Sequence, residues 1–135
     1  MSSIPDNTPS YEFAITVESK HIDNLNHVNN VVYLTWVNIA AEKHWAILSN
    51  GGINAKYIWL CIRHEIDYKG EAFLGDQLTV RTWVGKTHGV KSIRHVQVIK
   101  NDKVIAETAS TWCLVDAKTQ RPTRIREDVL ELLKL

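Results

Sequence analysis

A chain of 135 residues, 44% hydrophobic and 23% charged, is long enough to bury one core and too short for two. Its 16 Lys plus Arg stand against 15 Asp plus Glu, a net charge of +1. That excludes the global basic excess of a nucleic-acid binder and leaves any phosphate site to local clusters. The longest apolar run, 57–62, is far too short to span a bilayer, so no membrane partner is expected.

Residues 1–10 are polar, contain Pro5 and Pro9, and show no apolar leader core; they read as a flexible lead-in to a single domain over 1–135. Tyr11, Phe13, Ile15 and Val17 then alternate with Glu12, Ala14, Thr16 and Glu18, the period of two of a half-buried strand. Residues 23–33 read D-N-L-N-H-V-N-N-V-V-Y and lead into a helix over 30–48. On that helix apolar residues point in nearly every direction, and Thr35, Asn38, Glu42 and Ser49 form only a narrow polar stripe. Such a helix, about 28 Å long at ~1.5 Å per residue, has to be wrapped by other structure. Asn50-Gly51-Gly52 marks its end, since these residues tolerate the left-handed conformation that caps the last carbonyls.

Four strand-like runs follow at 57–68, 77–86, 92–100 and 104–116, with turns at 70–76, 87–91 and 101–102. Connections this short favour antiparallel neighbours, so a meander is expected. In 125–135, Ile125, Val129, Leu132 and Leu133 share one face, as in an amphipathic terminal helix. Cys61 and Cys113 lie in strand-like runs without CxxC spacing and read as reduced thiols, which places the protein in the cytoplasm. The fold class is therefore α+β: a curved five-stranded antiparallel sheet around one long central helix, with a short C-terminal helix.

The segment ahead of the long helix is where chemistry is expected. Helix starts expose unpaired N–H groups and the positive end of the macrodipole. Asp23 is placed to serve as a base or nucleophile there, or simply to act as a helix-start charge. Backbone amides around 27–29, Val28 among them, are candidate oxyanion donors. His27 could polarise a carbonyl or orient Asp23; Asn29 and Asn30 could bind substrate, although Asn is also a leading N-cap residue. Tyr33 and Trp36, three apart, read as core aromatics. Alternation puts His64 on one face with Leu60, Ile62, Ile66 and Tyr68, turned toward the helix or a pocket. His21, His44, His88 and His95 lack metal-ligand spacing, and no G-x-S-x-G elbow or Gly-rich phosphate loop occurs. No metal and no cofactor is expected.

The order strand, long helix, four strands matches the hotdog fold. Across nearly its whole length the chain resembles acyl-CoA thioesterases of the 4-hydroxybenzoyl-CoA thioesterase type, whose signature is D-x-x-G-H-V-N-N-x-x-Y. Asp23, His27, Val28, Asn29, Asn30 and Tyr33 fall on it, Tyr68 with 75–80 (G-D-Q-L-T-V) resembles the family's Y-then-G-D-x-L-x-V block, and 116–122 its strand-end turn. Asn26 stands where many relatives have Gly, a position at which Asn can adopt the same positive φ. Asn38 stands where many have Glu, so a second carboxylate would have to come from Glu42, Glu65 or Asp67.

The resemblance implies a thioester hydrolase with Asp23, His27, the Val28 amide and Asn29 in catalytic roles. Asn30, Tyr33, His64, Lys86, Lys91 and Arg94 become substrate-binding candidates, the three cations for CoA phosphates; Arg63 and Lys69 form a second basic pair. The substrate implied is an acyl-CoA or an acyl carrier protein thioester, acted on by a homodimer or homotetramer. A thioester suits one base with oxyanion donors, because a thiol of pKa near ~8.5 leaves without a strong general acid. Two rivals share the fold. A hydratase would need D-x-N-P-x-H, whereas here His27 follows Asp23 by four positions with no proline. A non-catalytic acyl-CoA sensor would use the same pocket without a working base.

Overall fold

The computed structural model describes residues 3–50 and 56–134. Within them lie β1 (Ser10–Thr16), a 3-10 turn at Ser19–His21, α1 (Asn30–Leu48), β2 (Tyr57–Tyr68), β3 (Gln77–His88), β4 (Lys91–Lys100), β5 (Lys103–Asp116) and α2 (Glu127–Leu133). The start of the lead-in, the Gly51-Gly52 part of the helix stop and Leu135 lie outside the described residues. Asn50 does take the left-handed conformation, φ 59°. Among the described residues no helix is long and apolar enough to cross a membrane.

The antiparallel sheet curls around α1. Tyr33, Trp36, Val37, Ala40 and Ala41 are buried, and the helix's first half joins Val17, Val28, Leu78, Val80, Val96 and Val98 in one core cluster. A second cluster at the other end seats α2, where Val129 and Leu133 pack with Leu48, Val84 and Leu114. The wrapping is incomplete: Val31, Thr35, Asn38 and Glu42, at helical spacing, are all exposed, so one flank of α1 stays open.

Strand order is β1-β3-β4-β5-β2. The expected meander holds for β3, β4 and β5, while β2 pairs with β5 rather than with β3. β1 takes the free edge of β3. Curvature explains this. The eight residues 69–76 reach at most about 29 Å when extended, yet they cross from one edge region to the other because the curled sheet brings these strand ends together beneath the start of α1. Their backbone groups are satisfied on the way: Gly70 N–H donates to Ile105 O (3.0 Å), Ala72 O accepts from Val28 N–H (2.9 Å), and Gly75 N–H donates to Val17 O (3.0 Å).

The turn at 101–102 is as expected, and the one at 87–91 is tighter. Asn101 and Asp102, at φ 49° and 65°, make a two-residue hairpin, and Gly89 at φ 65° lets the β3–β4 ladder run on to His88↔Lys91. In β2 the register slips between Cys61 and Arg63. The extra residue reverses the alternation, so Leu60 and Ile62 turn outward, 55% and 48% exposed, while His64 and Ile66 are half-buried with Trp59 and Cys61. The shared face assigned to His64, Leu60 and Ile62 from simple alternation is thereby corrected.

Candidate functional site

The segment before α1 is a closed loop held by its own backbone. Asp23 N–H donates to His27 O (3.1 Å) and Asn26 N–H to Asp23 O (3.1 Å). Asp23 Oδ1 accepts from Leu25 N–H at 2.9 Å, an Asx turn that fixes the carboxylate beside the loop. Asn26 sits at φ 66°, the conformation expected of the residue standing in for Gly. Asn29 is the N-cap of α1, its Oδ1 accepting from Val31 N–H at 2.9 Å; the capping reading of Asn29, not the catalytic one, describes that oxygen.

The amides divide sharply. Val28 N–H donates to Ala72 O and Asn29 N–H to His21 O, both at 2.9 Å. Val28 is thus corrected as a free oxyanion donor, because the 69–76 crossover takes its N–H. Among the described residues the amides of His27 and Asn30 have no protein partner.

A cleft of about 440 Å³ opens at this place, lined by His27, Val28, Asn30, Tyr33, Tyr68, Lys69, Gly70 and Glu71. Asp23, half-buried in the preceding turn, is not part of its lining. His27 Nδ1 lies 3.2 Å from Val28 O. Its Nε2 is 3.9 Å from Glu71 Oε1. Tyr68 donates its hydroxyl proton to Asn30 O (3.0 Å), bracing the first turn of α1. Tyr33 is 2% exposed and packs edge-on against Trp36 and Tyr68 with centroids 5.4 and 5.5 Å away, so it is both core and cleft wall. Burial raises its hydroxyl pKa, against the lowering effect of a hydrogen bond with the Ala72 backbone. Burial raises that of Tyr68 as well.

The other sequence candidates scatter. His64 Nδ1 is 2.6 Å from Ser110 Oγ and its Nε2 is 3.4 Å from Cys61 Sγ, outside the helix-start cleft. Lys86 and Lys91 stand together with Arg63 and His88 around a shallow depression on the outer face of the sheet. Arg94 does not join them. It is 6% exposed, on the inward face of β4 with Ser92, Val96 and Val98, where Nη1 reaches His44 Nδ1 (2.8 Å) and Thr82 Oγ1 (3.0 Å). Burial lowers the Arg94 pKa to about 10. It also lowers that of His44 to about 4, with the Arg94 charge as the second cause. Strand alternation already carried this signal, since Arg94 is an odd number of positions from Lys91 and must face the other way. Glu42, Glu65 and Asp67 are all exposed, and Glu65 pairs with Arg63. The carboxylate that does line the cleft is Glu71, which only the crossover of 69–76 brings there.

A five-stranded antiparallel sheet curled over one long helix, with a short C-terminal helix, is the architecture of the hotdog-fold thioester hydrolases. The chain belongs to the Thioesterase-like superfamily, whose sequence model matches residues 17–133. It is 27% identical over 127 residues to the long-chain acyl-CoA thioesterase FadM of Escherichia coli (strain K12), an alignment covering 89% of this chain and 94% of that protein. A predicted thioesterase from Bacillus stearothermophilus superposes with a TM-score of 0.84 at 21% identity, over 93% of this chain and 95% of that one. A hypothetical protein of Staphylococcus aureus, solved in complex with CoA, gives 0.82 at 17% identity, over 98% and 86%. These two structures share the fold.

Proposed function

We propose that the protein hydrolyses an acyl-CoA thioester to a free acid and CoA at the helix-start cleft. The observation that carries this reading is Asn30, a cleft-lining residue on the first turn of α1 whose backbone amide has no partner among the described residues. In the proposed reaction it takes over the oxyanion role first given to Val28, assisted by the His27 amide and the positive end of the helix. The carboxylate is that of Asp23, in the turn that leads into the cleft rather than in its lining, either removing a proton from water as the water oxygen bonds to the carbonyl carbon or attacking that carbon itself. The C–S bond then breaks and CoA leaves as a thiolate; on the second route the acyl–Asp23 anhydride left behind is hydrolysed by water, which releases the acid and restores the carboxylate. His27, which lines the cleft, is proposed to orient the attacking water or to polarise the thioester carbonyl. Lys86, Lys91 and Arg63 are the cations proposed for the CoA phosphates.

The test is release of free thiol from a panel of acyl-CoA and acyl carrier protein thioesters. Asp23→Asn is expected to slow release by at least ~10²-fold while the protein stays folded. Unchanged turnover in a folded Asp23→Asn protein removes Asp23 from the reaction, and the absence of thiol release from every thioester overturns the assignment.

A further inference from the structure

Beside the second half of α1 lies a cavity of about 340 Å³, walled by Trp45, Tyr57, Trp59, Val84, Trp112 and Arg94. It shares no lining residue with the helix-start cleft. Its walls are apolar and aromatic, but a buried cation, Arg94, stands among them. Arg94 gives Nη1 to His44 and Thr82, both neutral acceptors, and forms no ion pair with a carboxylate among the described residues. Trp112 Nε1 is buried with no partner there at all. A buried guanidinium without a counter-ion is costly, and one whose Nε and Nη2 have no partner among the described residues has the fork geometry that suits a carboxylate. Glu42 also lines the cavity but is solvent-exposed, where its charge is screened.

We propose that this cavity binds an amphipathic carboxylate, with the apolar body among Trp45, Trp59 and Val84 and the carboxylate on Arg94. The volume lies at the lower end of the range for small-molecule pockets, which fits a medium-chain or single-ring acid. The carboxylate could belong to a free acid or to the far end of an acyl chain carried as a thioester. The site stands on the charge and shape of this cavity and does not require thioester cleavage.

Quenching of tryptophan fluorescence tests it, read on the whole protein with octanoate, 1-octanol and an ω-carboxyoctanoyl-CoA. Octanoate is expected to bind at least ~10-fold more tightly than octanol, as a charge-assisted hydrogen bond would give. Arg94→Gln is expected to abolish that preference. Saturable binding of octanoate assigns the site to a free acid. Saturable binding of the ω-carboxyacyl thioester alone, lost in Arg94→Gln, assigns it to a substrate tail. Equal affinity for octanoate and octanol in the unmodified protein, or no saturable binding of either carboxylate, overturns the proposal. The wild-type comparison decides the matter even where Arg94→Gln fails to fold.

Discussion

Acidification should unfold this protein through His44. The imidazole is 2% exposed, accepts a hydrogen bond at Nδ1 from Arg94 at 2.8 Å, and stacks on Tyr11 with centroids 6.2 Å apart. A proton on Nδ1 would break that bond and bury a second positive charge beside the guanidinium. The folded-state pKa accordingly falls to about 4, against ~6.5 for an unfolded histidine. Between these values the unfolded chain binds the proton and the folded one does not, so stability is fully present above the unfolded pKa and is lost as pH falls. From pH 7 to pH 5 the linkage amounts to about 2 kcal/mol, and the whole shift to about 3 kcal/mol near pH 4. Urea unfolding at pH 7, 6 and 5, followed by tryptophan fluorescence, measures this directly. His44→Gln keeps an acceptor for Arg94 but cannot titrate, and its stability should fall by ~2 kcal/mol less over the same interval. His95, whose pKa burial also lowers, is present in both proteins and cancels. Identical pH dependence in the two proteins would refute the reasoning.

Gly85→Ala would place a Cβ 2.6 Å from His95 Nε2 and 2.8 Å from its Cδ2, on a ring stacked against buried Trp83. The expected loss is ~1–3 kcal/mol in chemical unfolding, and a change within error would mean the ring swings away freely. Asn26→Gly should be nearly neutral in thermal melting, whereas Asn26→Val should cost at least ~1–2 kcal/mol, because a β-branched residue resists φ 66°. Equal melting temperatures for the two variants would show that the turn relaxes.

Much of the fold was legible because local patterns agreed with their environment. The alternation over β1 and the bounds of α1 needed no long-range information: a half-buried strand and a buried helix each write their period into the chain. The position of β2 did not follow, because residues 69–76 look like any turn until the curvature of the sheet is known. The bulge at Cys61/Arg63 was equally silent, since Ile62 is a good strand residue on either face. One unannounced residue reversed the side on which Leu60 and Ile62 lie.

The candidate site failed where it depended on that same crossover. Asp23, Asn26 and Asn29 form a local loop, and local chemistry anticipated both the left-handed Asn26 and the capping role of Asn29. The fate of each amide was decided by distant chain: Ala72 O removes the Val28 donor, and Glu71 arrives beside His27 on the same link. Arg94 was misplaced for a different reason. Grouping it with Lys86 and Lys91 followed proximity in sequence, but on a strand the parity of the spacing outranks nearness. That parity places Arg94 within reach of His44, fifty residues earlier, and leaves it charged against an apolar wall. Reading cations by face before reading them as clusters would have separated the outer basic group from the inner arginine on sequence alone.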